Sequence, residues 1–175
     1  MPVTTARTLL STLWTASHDR LRRRLDGVTE EEFGWEPVAG CWALRPSPSA
    51  PGGWQIDYHW PTPTPPPFTT IAWRLVHLAN GNWIHWEHAL GSAVRSFLDL
   101  HVPGGAVDVI AYWRDSREPI SAWLAQATDA DLAVETRTLY GEAITVGETA
   151  RILLDEQAHH GAEIGVLRDL FARRQ

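Results

Sequence analysis

One cysteine stands among 175 residues, so Cys41 has no partner for an intrachain disulfide, and no CxxC pair offers zinc or redox chemistry. No stretch approaches the roughly 18 apolar residues that a helix needs to cross a bilayer. The N-terminus has no apolar segment followed by a small-residue cleavage signature, and a reducing cytoplasm is the expected compartment. Excess positive charge is missing too. A net charge of −6 argues against a nucleic-acid partner, which selects a basic surface. The local basic run from Arg20 to Arg24 reads as a solvated helix face. There is no glycine-rich phosphate loop, no GxSxG elbow and no Cys–His pair.

What is present suits one globular domain spanning 1–175, with 44% hydrophobic and 21% charged residues. Ten tryptophans are many for this length. Four of them (Trp35, Trp42, Trp54, Trp60) and nine of the twelve prolines fall between residues 28 and 67. This predicts a long, ordered connection that packs its aromatics down, with residues 61–67 extended as polyproline II.

On either side of that connection the pattern is helical. Leu9, Leu10, Leu13, Trp14, Leu21 and Leu25 predict a first helix over 5–26, ended by Gly27. A second, apolar on most faces, is expected over 68–98, with Thr69 or Thr70 as its cap. A third is expected over 107–127, kinked or tightened at Pro119. Residues 132–146 alternate and predict a short hairpin. A fourth helix starts after Thr145 or Gly147 and reaches about residue 173. The expected fold is all-α: a four-helix bundle with a long Pro/Trp-rich connection between helices 1 and 2 and a short hairpin before helix 4.

The fourth helix breaks its own hydrophobic pattern. Thr149, Ile152, Leu153, Glu156, His160, Ile164, Leu167 and Phe171 share a stripe. A carboxylate on a core stripe needs a partner, and a divalent metal is one. His77, on the second helix beside Trp73, Gly81 and Ile84, is the natural third donor. Two imidazoles and a carboxylate suit zinc first, then nickel, iron or manganese, at about 2.0–2.2 Å, and three protein donors leave a position open. Blander readings stand beside this one. A lone His on an apolar face is usually a hydrogen-bonded core residue, and a Glu–His pair at i,i+4 is usually a surface ion pair. His159 lies off the stripe and reads as an outer neighbour or a partner of Glu163. His85 is placed either to line the cavity or to face solvent, His18 to look into the bundle, and His59 to close over the site from the connection.

Two segments, 68–79 (FTTIAWRLVHLA) and 155–164 (DEQAHHGAEI), together with Trp35-Glu36-Pro37 and Gly40-Cys41-Trp42, resemble the DinB-like superfamily over nearly the whole chain. The resemblance implies a divalent metal held by a His of the second helix and a His-x-x-x-His pair of the last. By position these are His77, Glu156 and His160. Glu156 departs from the commoner His, as in the similar mycothiol-dependent maleylpyruvate isomerase branch, whose second domain has no counterpart in 175 residues. The family implies a metal-dependent enzyme that activates a low-molecular-weight thiol, of transferase or isomerase type, acting on a small-molecule substrate, with an open divalent site lowering the thiol pKa. The other readings are a metal-dependent hydrolase with Glu163 or His159 as base, an iron redox site, and a non-enzymatic metal-stabilised stress or binding module. The Trp-rich surface suggests a homodimer.

Overall fold

The computed structural model describes residues 4–174, and they are mostly helical with two small hairpins. Helix α1 (Ala6–Leu25) starts where the Thr5 hydroxyl accepts the Thr8 amide. A short α2 (Glu30–Phe33) follows, then β1 (Leu44–Pro46) and β2 (Trp54–Ile56) pair antiparallel with Arg45 opposite Gln55. Helix α3 (Ile71–Leu90) is capped by Thr70, whose hydroxyl accepts the Trp73 amide. After a 3₁₀ turn at Phe97–Asp99 come α4 (Ala106–Ser116), α5 (Glu118–Gln126) and the single turn α6 (Asp129–Leu132). The hairpin β3 (Glu135–Arg137) with β4 (Ala143–Thr145) leads directly into α7 (Val146–Phe171).

Helix α7 packs on both α1 and α3, α4 packs on α3, and α5 packs on α1. Leu75, Val76, Ala79 and Ile84 of α3 are fully buried, meeting Leu21 and Leu25 of α1 and Ile164 and Leu167 of α7. A second apolar cluster gathers Trp14, Trp86, Ile120, Leu124 and Leu153. Burying each of the leucine, isoleucine and valine side chains contributes about 1.5–3 kcal/mol.

Three expectations need correction. The second helix does not reach residue 98. It stops at Leu90, where Gly91 caps it and donates its amide to the Glu87 carbonyl. The Glu87 carboxylate then collects the amides of Val94 and Arg95 and the Ser92 hydroxyl, which turns the chain away from the helix axis. The single kinked third helix is instead two helices. Pro119 sits in the first turn of α5, where its missing N–H costs nothing, so the break falls at Arg117. This leaves one corner of the expected four-helix bundle shared by α4 and α5. The long connection carries a β1–β2 hairpin that its proline content concealed. That hairpin is seated by close approach: a Cβ on Gly104 would meet the Trp54 indole at 2.1 Å, and one on Gly52 the Val102 carbonyl oxygen at 2.0 Å.

The predicted hairpin before the last helix is present. Its turn depends on Gly141 at φ 81°, and Thr136 donates its hydroxyl to the Ala89 carbonyl at the end of α3.

Candidate metal centre

Helices α3 and α7 pack side by side. On α3 the facing residues are Trp73, Arg74 and His77; on α7 they are Glu156, His160 and Glu163. Positions 156 and 160 are one turn apart, so their side chains stand on one face. His77 Nε2 lies 3.1 Å from Glu156 Oε2, and His160 Nε2 lies 3.4 Å from the same oxygen. The two imidazoles meet edge-on, 4.9 Å between centroids at 84°. One donor atom from each of the three residues falls within 4.8 Å of the others. Two donors about 2.05 Å from a tetrahedral ion stand about 3.3 Å apart, so the measured edges match such a polyhedron.

Proton bookkeeping points the same way. Burial pushes the His160 imidazole below its usual pKa, so it is neutral and carries one N–H. Its Nδ1 sits 2.7 Å from Glu163 Oε2. The Arg74 guanidinium lies 3.3 Å from that same Nδ1 and is ion-paired to the same carboxylate oxygen. Nδ1 cannot both accept from Arg74 and donate to Glu163. The carboxylate is the stronger acceptor, so Nδ1 holds the proton and the two nitrogens converge as donors on Glu163. That leaves the Nε2 lone pair of His160 directed at a second carboxylate. That second carboxylate, Glu156, is partly exposed and ionised at neutral pH. A lone pair facing an anionic oxygen at 3.4 Å lacks a cation between them. The donor set therefore fits a divalent ion, with Glu163 fixing the tautomer that presents Nε2.

The surroundings brace this arrangement. Trp73 stacks flat on His77, 4.8 Å between centroids at 11°. The Trp73 Nε1–H donates to the Asp57 carbonyl at 2.7 Å. The Asp57 carboxylate accepts the Ala43 amide at 2.9 Å and Arg45 Nε at 3.1 Å. The connection is thereby tied to α3 one turn before His77. Beyond the donors, a cavity of about 200 Å³ opens between Gly81, Asn82, His85, Phe97, Ile152 and Glu156. A more open cavity of about 670 Å³ lies at the end of α7, but its charges are already matched: Arg24 with Asp169 and Arg168 with Glu32, each at 2.7 Å.

The structure thus brings His77, Glu156 and His160 together. It places Glu156 differently from the sequence expectation. That side chain is 43% exposed, and Ile152 is 37% exposed. The buried stripe of α7 runs through Thr149, Ala150, Leu153, Gln157, Ile164 and Leu167 instead. The stripe is rotated by one residue, with Gln157 at its centre and Glu156 on its flank beside the cavity. His85 lines that cavity, and His159 stacks on His160 and faces Glu163 Oε1 at 3.3 Å. His18 is buried against Trp113. His59 does not close over the site; it is exposed and donates Nδ1–H to the Pro61 carbonyl at 3.0 Å.

Sequence reasoning did not foresee that Glu163 orients His160 or that Arg74 is its counter-ion. The i,i+3 spacing of His160 and Glu163 carries the first signal; an arginine inside the apolar run of α3 carries the second. His159, His160 and Glu163 form another metal-capable group, but Arg74 already supplies the cation there.

A family model described as the DinB superfamily matches residues 13–164, a span that contains all of these side chains. No curated protein matches the chain.

Proposed function

The chain belongs to the DinB superfamily, and from that premise we propose a metal-dependent enzyme in which His77 Nε2, Glu156 Oε2 and His160 Nε2 hold a divalent ion. One observation carries the reading: three donors from two separately folded helices converge with edges of 3.1 and 3.4 Å. Zinc is the first candidate for the ion, with nickel, iron and manganese accepted by the same donors. The ion would act as a Lewis acid toward a low-molecular-weight thiol, lowering its pKa toward neutrality for transfer or isomerisation chemistry.

The chain's own residues supply orientation and a dry wall. Glu163 fixes the proton of His160 on Nδ1, and Arg74 neutralises Glu163 so that its charge does not compete for the site. Trp73 holds the His77 ring in one plane. Leu78, Ile152, Leu153 and Phe97 give the cavity an apolar lining. The only cysteine, Cys41, is buried and donates its S–H to the Val38 carbonyl, so a nucleophilic sulfur would come from a small molecule.

The hydrolase reading loses its base. Glu163 is taken up by Arg74 and His160, and His159 packs against it on the outer side of the cluster.

Elemental analysis of purified protein is expected to give one divalent ion per chain, lost in His77→Ala and weakened in Glu156→Gln. The loaded protein is then expected to accelerate conjugation of an electrophile to a thiol such as mycothiol or bacillithiol. Equal rates with and without thiol, across several electrophiles, would overturn the thiol assignment while leaving the metal site standing.

A further inference from the structure

The cavity beside the metal cluster does not stand alone. A second cavity of about 200 Å³ lies against the β3–β4 hairpin and is bounded by Tyr140, Glu142 and Thr149 among others. His85 and Ile152 line both, so the two chambers adjoin along these side chains. His85 is eight residues beyond His77, about 12 Å along the axis of α3. Its ring meets the edge of Phe97 at 5.9 Å, and no hydrogen bond to either ring nitrogen occurs among the described residues. Gly81 lies midway between them. A Cβ there would meet only His85 Cδ2, at 4.0 Å, so the floor of the first chamber is open space.

The charges of the two chambers are one-sided. Among the described residues that line either one, the charged side chains are Glu156 at the metal end and Glu142 at the hairpin end, and none is arginine. With Glu156 engaged by an ion, the free charge of the groove is the Glu142 carboxylate at its far mouth. Among these lining residues an anionic tail would find no cationic partner and would meet a like charge.

Resting on the metal reading above, the geometry points to one elongated groove for a ligand whose head binds at the metal and whose tail is neutral or cationic, passing His85 at the waist and ending at Glu142. Burial keeps the His85 imidazole neutral at pH 7, so it offers the passing chain one N–H and one lone pair. Glu142 is exposed, so its contribution is modest and salt-sensitive.

The test uses protein loaded with Co²⁺ and three eight-carbon thiols that differ only in the tail: ammonium, hydroxyl or carboxylate. The thiolate-to-cobalt absorption band reports binding of the head. Three-carbon thiols with the same tails, too short to pass His85, serve as the reference. The ammonium tail is expected to bind about tenfold tighter than the carboxylate in the long series at low salt, with the hydroxyl between. The short series is expected to show no such ranking. Glu142→Gln should erase most of the preference, and His85→Leu should weaken the hydroxyl and ammonium compounds together; neither should change cobalt stoichiometry. Identical affinities along the long series, or the same ranking in short and long thiols, would overturn the groove while leaving the metal site intact. Failure to take up Co²⁺ removes both.

Discussion

A neutral imidazole has one proton to give, and His160 is flanked by two carboxylates. Glu163 takes that proton at 2.7 Å, so Glu163→Ala frees the tautomer that presents Nε2. Metal affinity is expected to fall about 10- to 100-fold, measured by competition with a chromogenic chelator. The same change strands Arg74, which is buried and whose guanidinium burial pushes down to about 10. Stability should drop by about 2–3 kcal/mol, less than a fully buried pair would cost because Glu163 is partly exposed. Adding Arg74→Leu should restore much of the stability but none of the affinity, which separates the two roles of one carboxylate. If the double variant recovers affinity, Glu163 acts only as a structural partner of Arg74. His18 tests a different consequence of burial. Desolvation first, and then the Arg117 charge, lower its pKa from 6.5 to about 4. The unfolded chain therefore binds a proton below pH 6.5 that the folded chain refuses until about pH 4. Stability is whole above pH 6.5 and is lost as pH falls toward 4, by up to about 3 kcal/mol. Urea unfolding of His18→Phe across pH 4–7 should show a flatter profile than the parent; parallel profiles would reject the assignment.

Helix α3 carries an interior glycine, normally a cost of about 0.5–1 kcal/mol against alanine. At Gly81 the added methyl would touch only His85 Cδ2 at 4.0 Å, so packing does not require the glycine. Gly81→Ala is expected to raise stability by roughly that amount. Gly81→Leu should fold as well and take up metal, yet exclude ligands from the cavity; a neutral or negative stability change in Gly81→Ala would mean that the helix is strained there. The elements were unevenly legible in the sequence. Helix starts were readable because Thr5, Thr70 and Thr145 cap by local hydrogen bonds. The hairpin before α7 was readable from alternation around Gly141. The end of α3 was not, because Glu87 stops the helix through contacts five to eight residues ahead, which periodicity does not register. The β1–β2 hairpin was hidden because its anchor is tertiary, an indole laid against Gly104. The metal-capable trio was readable in identity but not in setting. Hydrophobic spacing drew the stripe through Glu156, one residue away from the buried line through Gln157.

At the scale of the molecule, α1, α3 and α7 are held by apolar contact along their lengths, and charge fastens them at particular points. All fifteen cationic side chains are arginine, none lysine. Arginine's planar fork lets single residues bridge several elements. Arg168 of α7 engages the Glu32 carboxylate of α2 and also the Asp26 carbonyl beyond α1. Arg74 does the same between α3 and α7. A divalent ion at the proposed site would add a further bridge at that second junction, between residues 79 and 83 positions apart. An ion that binds the folded chain and not the unfolded one stabilises it by about 4 kcal/mol when free ion exceeds the dissociation constant a thousandfold. For a chain of this size, that corresponds to a rise of roughly 10 °C in Tm. Calorimetry with zinc in excess should therefore show a transition about that much higher than the same protein in chelator. His77→Ala should melt at one temperature in both solutions. A parent protein whose melting is indifferent to chelator would mean that α3 and α7 are joined by packing and the Arg74–Glu163 pair alone, and that Glu156 is only the acceptor shared by two imidazoles.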